Sequence, residues 1–362
     1  MTPPSRAEMQ RRNRARVLAA AREEFGDKGF RDAKVDVIAA AAELTRGAVY
    51  SNFPSKRALY LAVLAADASA ADAAAADADP LPGKAPTTAA DALAALARGW
   101  LARLPLAVDE HRGPVRLAAG LEQEISADAQ LRVPFAQLQA LNAIVVGLAL
   151  EQTLRRREDR RMVRVAETAL TLLQGAARLA VAAPGFGEPF TVVRACEYLA
   201  DADLDDTWAE PAFADYAPTP RPVDEPWLPP VALDALRGNA ITFSGDGVVL
   251  VLGLHRLEAF EHAVRAAPPG TEITAALVTA DPHEAGMLAR LSVTELATAL
   301  RPIFPTLLPP GLRIALDDGA LAAAAGVTSV SDVTEAGIRL VGGRVAARAD
   351  GWGAAHAIAA TR

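Results

Sequence analysis

Along the first 60 residues the apolar positions fall into short helical stripes separated by polar turns. Val17, Leu18, Ala21 and Phe25 share one face of a first helix of about 20 residues, and Gly29, able to adopt a positive φ, suits its end. Val35, Ile38, Ala39 and Ala42 follow at i, i+3, i+4 and i+7 and predict a second, short helix. Glu43 and Leu44 lead to Thr45, a residue type that caps helix N-termini, and then to a third helix over 46–52 with Val49 and Phe53 turned inward. After Pro54, Ser55 can cap a fourth helix that opens on Lys56 and Arg57. Two short helices across a tight turn make a helix-turn-helix.

Further along, residues 89–104, 114–125, 134–157 and 160–183 are rich in Ala and Leu and keep helical spacing, as in Phe135, Leu138, Leu141, Val145 and Leu148. The pattern then changes. Residues 240–243 and 248–252 flank Ser-Gly-Asp-Gly, and residues 338–341 precede Gly342-Gly343 and 344–347, so both segments read as hairpins. Helical stripes at 257–266 and 293–299 make this part mixed. The expected fold is mainly α for residues 1–200 and α+β for residues 231–362.

Composition supplies the boundaries. At 362 residues the chain is longer than one compact domain needs, and 51% hydrophobic with 22% charged residues describes a globular protein. An Ala/Asp-rich stretch runs into Pro80, Pro82 and Pro86, and residues 201–230 hold seven prolines and eight acidic residues against one Arg. That composition reads as an extended acidic linker. The expected domains are therefore 1–70, 85–200 and 231–362, with 201–230 as the tether.

The single cysteine, Cys196, excludes an internal disulfide. Residues 1–16 carry five arginines with no apolar run behind them, so no export signal is read. Apolar stretches such as 141–150 are short for a bilayer, and 65–76 is broken by aspartates. A cytoplasmic location without membrane contact is expected.

The net charge of −7 argues at face value against a nucleic-acid partner. It is unevenly spread: residues 1–60 hold 12 basic and 7 acidic side chains, a local +5, which leaves −12 for the rest. One basic segment on an acidic chain is the pattern of a head that faces a polyanion. On the third helix Gly47 and Ala48 allow close approach, while Arg46, Tyr50, Ser51 and Asn52 supply donors and acceptors. Lys56 and Arg57 stand at the positive end of a helix dipole, a conflict that a DNA phosphate would remove.

Three runs carry a resemblance: Arg16-Val-Leu-Ala-Ala-Ala-Arg-Glu-Glu-Phe-Gly-Asp-Lys-Gly-Phe30, Val35-Asp-Val-Ile-Ala39, and Leu44-Thr-Arg-Gly-Ala-Val-Tyr-Ser-Asn-Phe-Pro-Ser-Lys-Arg-Ala-Leu59. In that order they resemble the DNA-binding domain of TetR-family transcriptional regulators. The resemblance implies that Thr45, Arg46, Gly47, Ala48, Ser51 and Asn52 lie along the major groove and that Tyr50 and Lys56 contact phosphate. It implies a core of Val17, Phe25, Phe30, Ile38, Leu44, Val49, Phe53 and Leu59. Glu43 stands where the family usually has a turn Gly. Ala33-Lys34 replaces a common Thr before the second helix, so that Lys34 joins the expected DNA contacts through its charge.

The same resemblance implies a repressor that binds a palindromic double-stranded DNA operator as a homodimer and responds to a small-molecule effector held in residues 85–200. Residues 134–157 and 160–183 are similar to the helix pair that builds the family's four-helix dimer interface, and Trp100 and Phe135 are candidates to line an effector pocket. The arginines at 155, 156, 157, 160, 161 and 164 are expected to be neutralised locally by Glu151, Glu158, Asp159 and Glu167.

The five histidines show no metal spacing, residues 245–247 lack the Lys-Ser/Thr of a phosphate loop, and no Gly-x-Ser-x-Gly elbow occurs. Catalytic residues, cofactor and metal are therefore expected to be absent. Residues 307–319 resemble the small α+β domain of SseB-like proteins, from which no residue or activity carries over. A sensing or protein-binding module is expected at 231–362; the alternative is that this domain holds the main activity, enzymatic or partner-docking, with the helix-turn-helix as its targeting device.

Overall fold

Helix α1 (Arg6–Asp32) starts at a capping box, in which the Ser5 hydroxyl accepts from Glu8 N at 3.2 Å and the Glu8 carboxylate accepts from Ser5 N at 2.6 Å. The break expected at Gly29 is present: its φ of 75° and ψ of 169° lie in a region open essentially to glycine alone, and one further turn follows it. Helices α2 (Val35–Ala41), α3 (Arg46–Asn52) and α4 (Lys56–Asp77) complete the head. Thr45 caps α3 by accepting from Ala48 N at 3.2 Å, and Ser55 caps α4 by accepting from Ala58 N at 2.8 Å. Val17, Phe25, Ile38, Val49, Phe53 and Tyr60 close the head's core, with the Tyr60 ring edge-on to Phe25 at 5.3 Å. The structure is a computed structural model that describes residues 5–77, 86–102, 104, 117, 120–154, 160–243, 245–301, 303 and 308–361.

The helical body consists of α5 (Ala89–Leu101), α6 (Leu121–Ala127), α7 (Ala129–Glu151), α8 (Val163–Ala182) and α9 (Pro189–Leu199). Helix α7 begins five residues before the expected start because Asp128 caps it, accepting from Gln130 N at 2.7 Å, and it accommodates Pro134 near that end. Its expected continuation to 157 falls partly outside the described residues. Helix α9 has no counterpart in the sequence reading, although Glu188 as cap and Pro189 at the first position mark its start. Helices α7 and α8 approach closely at Gly147, where a Cβ would stand 2.8 Å from Val163 Cα. Against the expectation of short apolar stretches, α4 and α7 are long and apolar enough to cross a membrane by length and composition; in α7, 67% of that apolar window is buried within the fold.

The carboxy-terminal part is a six-stranded mixed sheet ordered β1-β6-β5-β2-β3-β4. Its elements are β1 (Arg221–Pro226), β2 (Gly247–Gly253), α10 (Ala259–Ala266), β3 (Glu272–Val278), α11 (Ala285–Leu300), β4 (Leu312–Leu316), α12 (Ala320–Ala324), β5 (Glu335–Val341), β6 (Arg344–Asp350) and α13 (Ala354–Ala360). The β5–β6 hairpin forms as expected. The hairpin expected around 240–252 does not: β2 runs parallel to β3 and antiparallel to β5, and Ala240 makes only an isolated bridge to Leu233. Every residue of β2 is buried, which suits a central strand flanked on both edges and covered on both faces.

Two boundaries change. The segment read as an acidic linker, 201–230, supplies β1, and its Trp227 is buried in the core on one face of the sheet. Prolines 222 and 226 are tolerated because β1 is an edge strand with one unpaired side. Nor is the mixed domain held at a distance. Helix α11 lies along α4 and α7, its Leu291 joins the head's core, and its Leu288, Val293 and Leu296 join the core of the body.

Candidate nucleic-acid interface and an interior cleft

The α2–α3 turn is set by Glu43, whose φ of 51° puts a non-glycine residue in the left-handed region. Leu44 N donates to Ala39 O at 2.9 Å across the turn, and the Glu43 carboxylate is held by Arg16 from α1. The left-handed turn that a Gly would adopt freely is thus reached with Glu, at a backbone cost of about 1–2 kcal/mol.

Beyond the turn, Val49 is buried while Thr45, Arg46, Gly47 and Ser51 are exposed and Ala48, Tyr50 and Asn52 are half-buried. These residues and the exposed Lys34, before α2, lie on the head. Arg46 reaches back to Asp36 at 3.2 Å, and its guanidinium stands 5.5 Å from the centre of the Tyr50 ring. Tyr50 and Asp36 together raise the Arg46 pKa, in that order. Ser51 Oγ and Asn52 Nδ2 both donate to Ala48 O at 2.9 Å, and Asn52 Nδ2 also donates to Ser51 Oγ at 3.5 Å, so the two side chains are held together at the end of α3. Sequence reasoning missed Arg14: it donates to Asn52 O at 3.3 Å and its guanidinium lies 4.4 Å from the Phe53 ring centre, so it fixes the end of α3 from 38 residues away. No local spacing announces such a contact.

At the start of α4 the expected phosphate is replaced in part by protein groups. Lys56 Nζ donates to Arg31 O at 3.0 Å and sits 4.9 Å from the Phe30 ring, and burial lowers its pKa. Arg57 is paired with Asp128 at 2.5 Å and with Glu284, and Ser55 Oγ donates to Glu284 Oε1 at 2.5 Å. The anion that relieves the helix dipole at Arg57 is therefore the carboxylate of Glu284, in the turn ahead of α11.

The arginine cluster also departs from expectation. Arg160 donates to the carbonyls of Ala200 and Ala202, Arg161 to Asp206 at 2.5 Å and Glu261 at 2.6 and 2.7 Å, and Arg164 to Leu204 O and Asp205 O. Glu151 accepts from Arg265 rather than from its neighbours. These arginines tie α8 to the chain after α9 and to α10. Residues 155–159 lie outside the described residues. Cys196 is buried, and burial pushes its thiol up to about 11, the opposite of an activated nucleophile.

Trp100 and Phe135 lie on one cleft, whose walls are α5, α6, α7 and α8 on one side and α11 on the other. Asn142 Nδ2 donates across it to Ser292 Oγ at 3.1 Å, and Gln174 Nε2 donates to Gln139 Oε1 at 2.5 Å. Among the described residues no group of three or more His, Cys, Asp or Glu side chains is disposed to hold a metal ion.

Residues 17–63 match the family described as bacterial regulatory proteins, tetR family. Among solved structures, the chain is similar to a transcriptional regulator from Rhodococcus sp. RHA1, at 20% identity over 54% of this chain and 99% of the other, with a TM-score of 0.34. It is similar to a TetR-like transcriptional regulator from the same organism, at 22% identity over 56% and 100%, with a TM-score of 0.32. It is also similar to FadR from Bacillus subtilis in complex with stearoyl-CoA, at 15% identity over 51% and 97%, with a TM-score of 0.33. No curated protein matches the chain.

Proposed function

We propose that this chain, whose residues 17–63 form a TetR-family domain, is a transcriptional repressor that binds a palindromic operator as a homodimer and lets go when a small molecule enters its helical body. The observation that carries the reading is the outer face of α3. Arg46, Gly47 and Ser51 are open to solvent there, while Val49 and Phe53 seat the helix on the head. A short helix presented this way, with small residues between donors, enters a major groove without obstruction.

In this reading Thr45, Arg46, Gly47, Ala48, Ser51 and Asn52 follow the groove, and Lys34, Tyr50 and Lys56 meet the phosphates. Pairing of two chains is supported by apolar side chains left open on α8, the turn after it and α9: Leu179, Phe186, Phe190 and Tyr198 are 42%, 68%, 76% and 71% exposed. Burying them against a second copy would remove them from water and set two α3 helices on half-sites one helical turn apart, about 34 Å. The effector belongs in the 85–200 body, around Trp100 and Phe135. The chain works in the cytoplasm and is not an enzyme; the mixed domain serves the regulator.

A mobility-shift assay on the DNA upstream of the chain's own coding sequence tests this. The intact protein retards that DNA, and Tyr50→Ala and Lys56→Ala weaken binding to a similar degree on every sequence, as loss of phosphate contacts does. Unchanged binding in both variants sinks their assignment, and no binding by the intact protein to any duplex sinks the function.

A further inference from the structure

The match to the regulator family begins at residue 17, but α1 begins at Arg6 and runs for about three turns ahead of that point. Those turns hold Arg6, Arg11, Arg12, Arg14 and Arg16 against Glu8 alone, a local charge of +4 for which α3 does not account. Residues 5–12 are all exposed, so no packing holds this stretch helical. Its order comes from the capping box, and that box uses up Glu8, whose carboxylate accepts from Ser5 N at 2.6 Å. The helix also carries like charges at Arg11 and Arg14 and at Arg12 and Arg16, spacings at which repulsion weakens a bare helix. A polyanion alongside would turn that repulsion into attraction.

The fold places the stretch beside α3. The carboxy-terminal end of α1 faces the body, since a Cβ on Gly120 would stand 3.4 Å from Phe30 Cβ. The other end lies along the helix-turn-helix. Arg14 donates to Asn52 O at 3.3 Å at the end of α3, and Arg16 pairs with Glu43 in the turn ahead of it. Arg11 stands three residues before Arg14 and Arg12 four before Arg16, so each continues one of these two rows by a turn, about 4.5 and 6 Å further along the axis. Both side chains are exposed, and among the described residues neither has an acidic partner. Arg57 differs, because Glu284 of the appended mixed domain meets its charge.

We infer that the forward extension of α1 is a second DNA-contacting element, in which Arg11 and Arg12 meet the phosphates that flank the half-site read by α3. The inference deepens the proposed function, on which it rests, by adding contacts outside the groove. One strand of a duplex carries a phosphate every 3.4 Å or so of axis, so the offset of Arg11 and Arg12 from the α3 contacts corresponds to about one or two phosphates. The extension is already helical, so the backbone needs no further ordering when it meets DNA. Such contacts add affinity evenly over sequences and fix where along the duplex the head settles.

Hydroxyl-radical footprinting and mobility shifts at several salt concentrations, with the full chain on the upstream DNA, test the contact. In the double variant Arg11→Ala/Arg12→Ala the outermost protected sugars of each half-site lose protection while those under α3 keep it. Affinity falls at least about tenfold, and the slope of log K against log salt becomes shallower by at least about 1.8, which is about 0.9 for each of two phosphates. Arg11→Lys/Arg12→Lys keeps the original slope, since the charge is retained. Arg98→Ala, which removes an exposed charge from α5 of the body, changes neither slope nor footprint. An unchanged slope and footprint in the double alanine variant overturns the inference and leaves the proposed function standing. Equal loss in Arg98→Ala overturns it too, as an effect of bulk charge, and a lysine variant no better than alanine overturns the phosphate contact. If the unaltered chain retards no duplex, the proposed function falls and this inference with it.

Discussion

Arg57, in the first turn of α4, donates through Nε to Glu284 at 2.5 Å, and the two residues stand 227 positions apart in the chain. Both side chains are largely withdrawn from solvent, at 25% and 14% exposure, so the pair is worth more than a surface contact. Glu284→Ala is expected to destabilise the protein by about 1–3 kcal/mol, because Arg57 keeps Asp128 but loses its second carboxylate. A double-mutant cycle with Arg57→Ala, read by urea unfolding, should give a coupling of about 0.5–3 kcal/mol. Additive losses would mean that the appended domain does not grip α4 through this pair.

Arg46 and Lys34 should separate by the kind of DNA contact they lose. Arg46→Ala removes a forked donor on the groove face and should cost about 1–3 kcal/mol on the preferred operator, with specificity relaxed at one base pair. Lys34→Ala should weaken binding evenly across sequences and reduce the slope of log K against log salt by about 0.9. Affinity measured at several salt concentrations on matched and single-substituted operators distinguishes the two. An even loss from Arg46→Ala would remove it from base readout.

The left-handed Glu43 predicts an order of stability for two variants. Glu43→Ala keeps the backbone cost and loses the pairing with Arg16, so it should lower stability slightly, by up to about 1 kcal/mol. Glu43→Gly also loses the pair but removes about 1–2 kcal/mol of left-handed cost, against about 0.5–1 kcal/mol of added chain entropy in the unfolded state. Glycine should therefore be the more stable of the two by up to about 1.5 kcal/mol. Thermal unfolding of both, side by side, decides it; alanine as the more stable variant would mean that the turn relaxes out of the left-handed region.

The head was legible in the sequence because its information is local. The Thr45 and Ser55 caps, the Gly29 break and the stripes through Phe25, Ile38 and Val49 each sit within a turn or two of the structure that they specify. The sheet was largely hidden. β3 and β4 are short apolar runs that periodicity cannot tell from buried helix, and β1 was concealed by the prolines that an edge strand tolerates. The cleft between α7 and α11 was hidden entirely, since Asn142 and Ser292 are 150 positions apart and each looks ordinary in its own helix. Trp100 and Phe135 were identifiable as pocket candidates, but their opposite wall on α11 was not.

Arg161 is expected to be the costliest single side chain of the arginine cluster to remove. Asp206 and Glu261 on either side of it have only 3% and 6% side-chain exposure, and alanine would leave Asp206 buried without its arginine and Glu261 with Arg265 alone, at 3.2 Å. Loss of one partner from a buried ion pair costs about 3–5 kcal/mol. Lysine should recover little of this, because the guanidinium binds Glu261 through two nitrogens at once and an ammonium cannot. Denaturant midpoints for Arg161→Ala and Arg161→Lys test the claim, and near-native stability in Arg161→Lys would refute the forked contact.

His262 should make the protein less stable in mild acid. Its ring lies tilted by 49° against Trp208 at 5.8 Å and meets Phe213 edge-on at 5.1 Å, and burial lowers its pKa from the ordinary 6.5; Glu335, Glu261 and Glu258 oppose the shift and His356 adds to it. The folded state therefore binds fewer protons than the unfolded state just below 6.5. Its contribution to stability is complete above that value and is lost as the pH falls through it towards the lower folded value. Unfolding midpoints measured between pH 7.5 and 5.5 should decline for the unaltered chain, and more gently for His262→Leu, which has no proton to take up. Equal slopes in the two proteins would assign the acid sensitivity to another group, and a steeper decline in His262→Leu would reverse the sign of the argument.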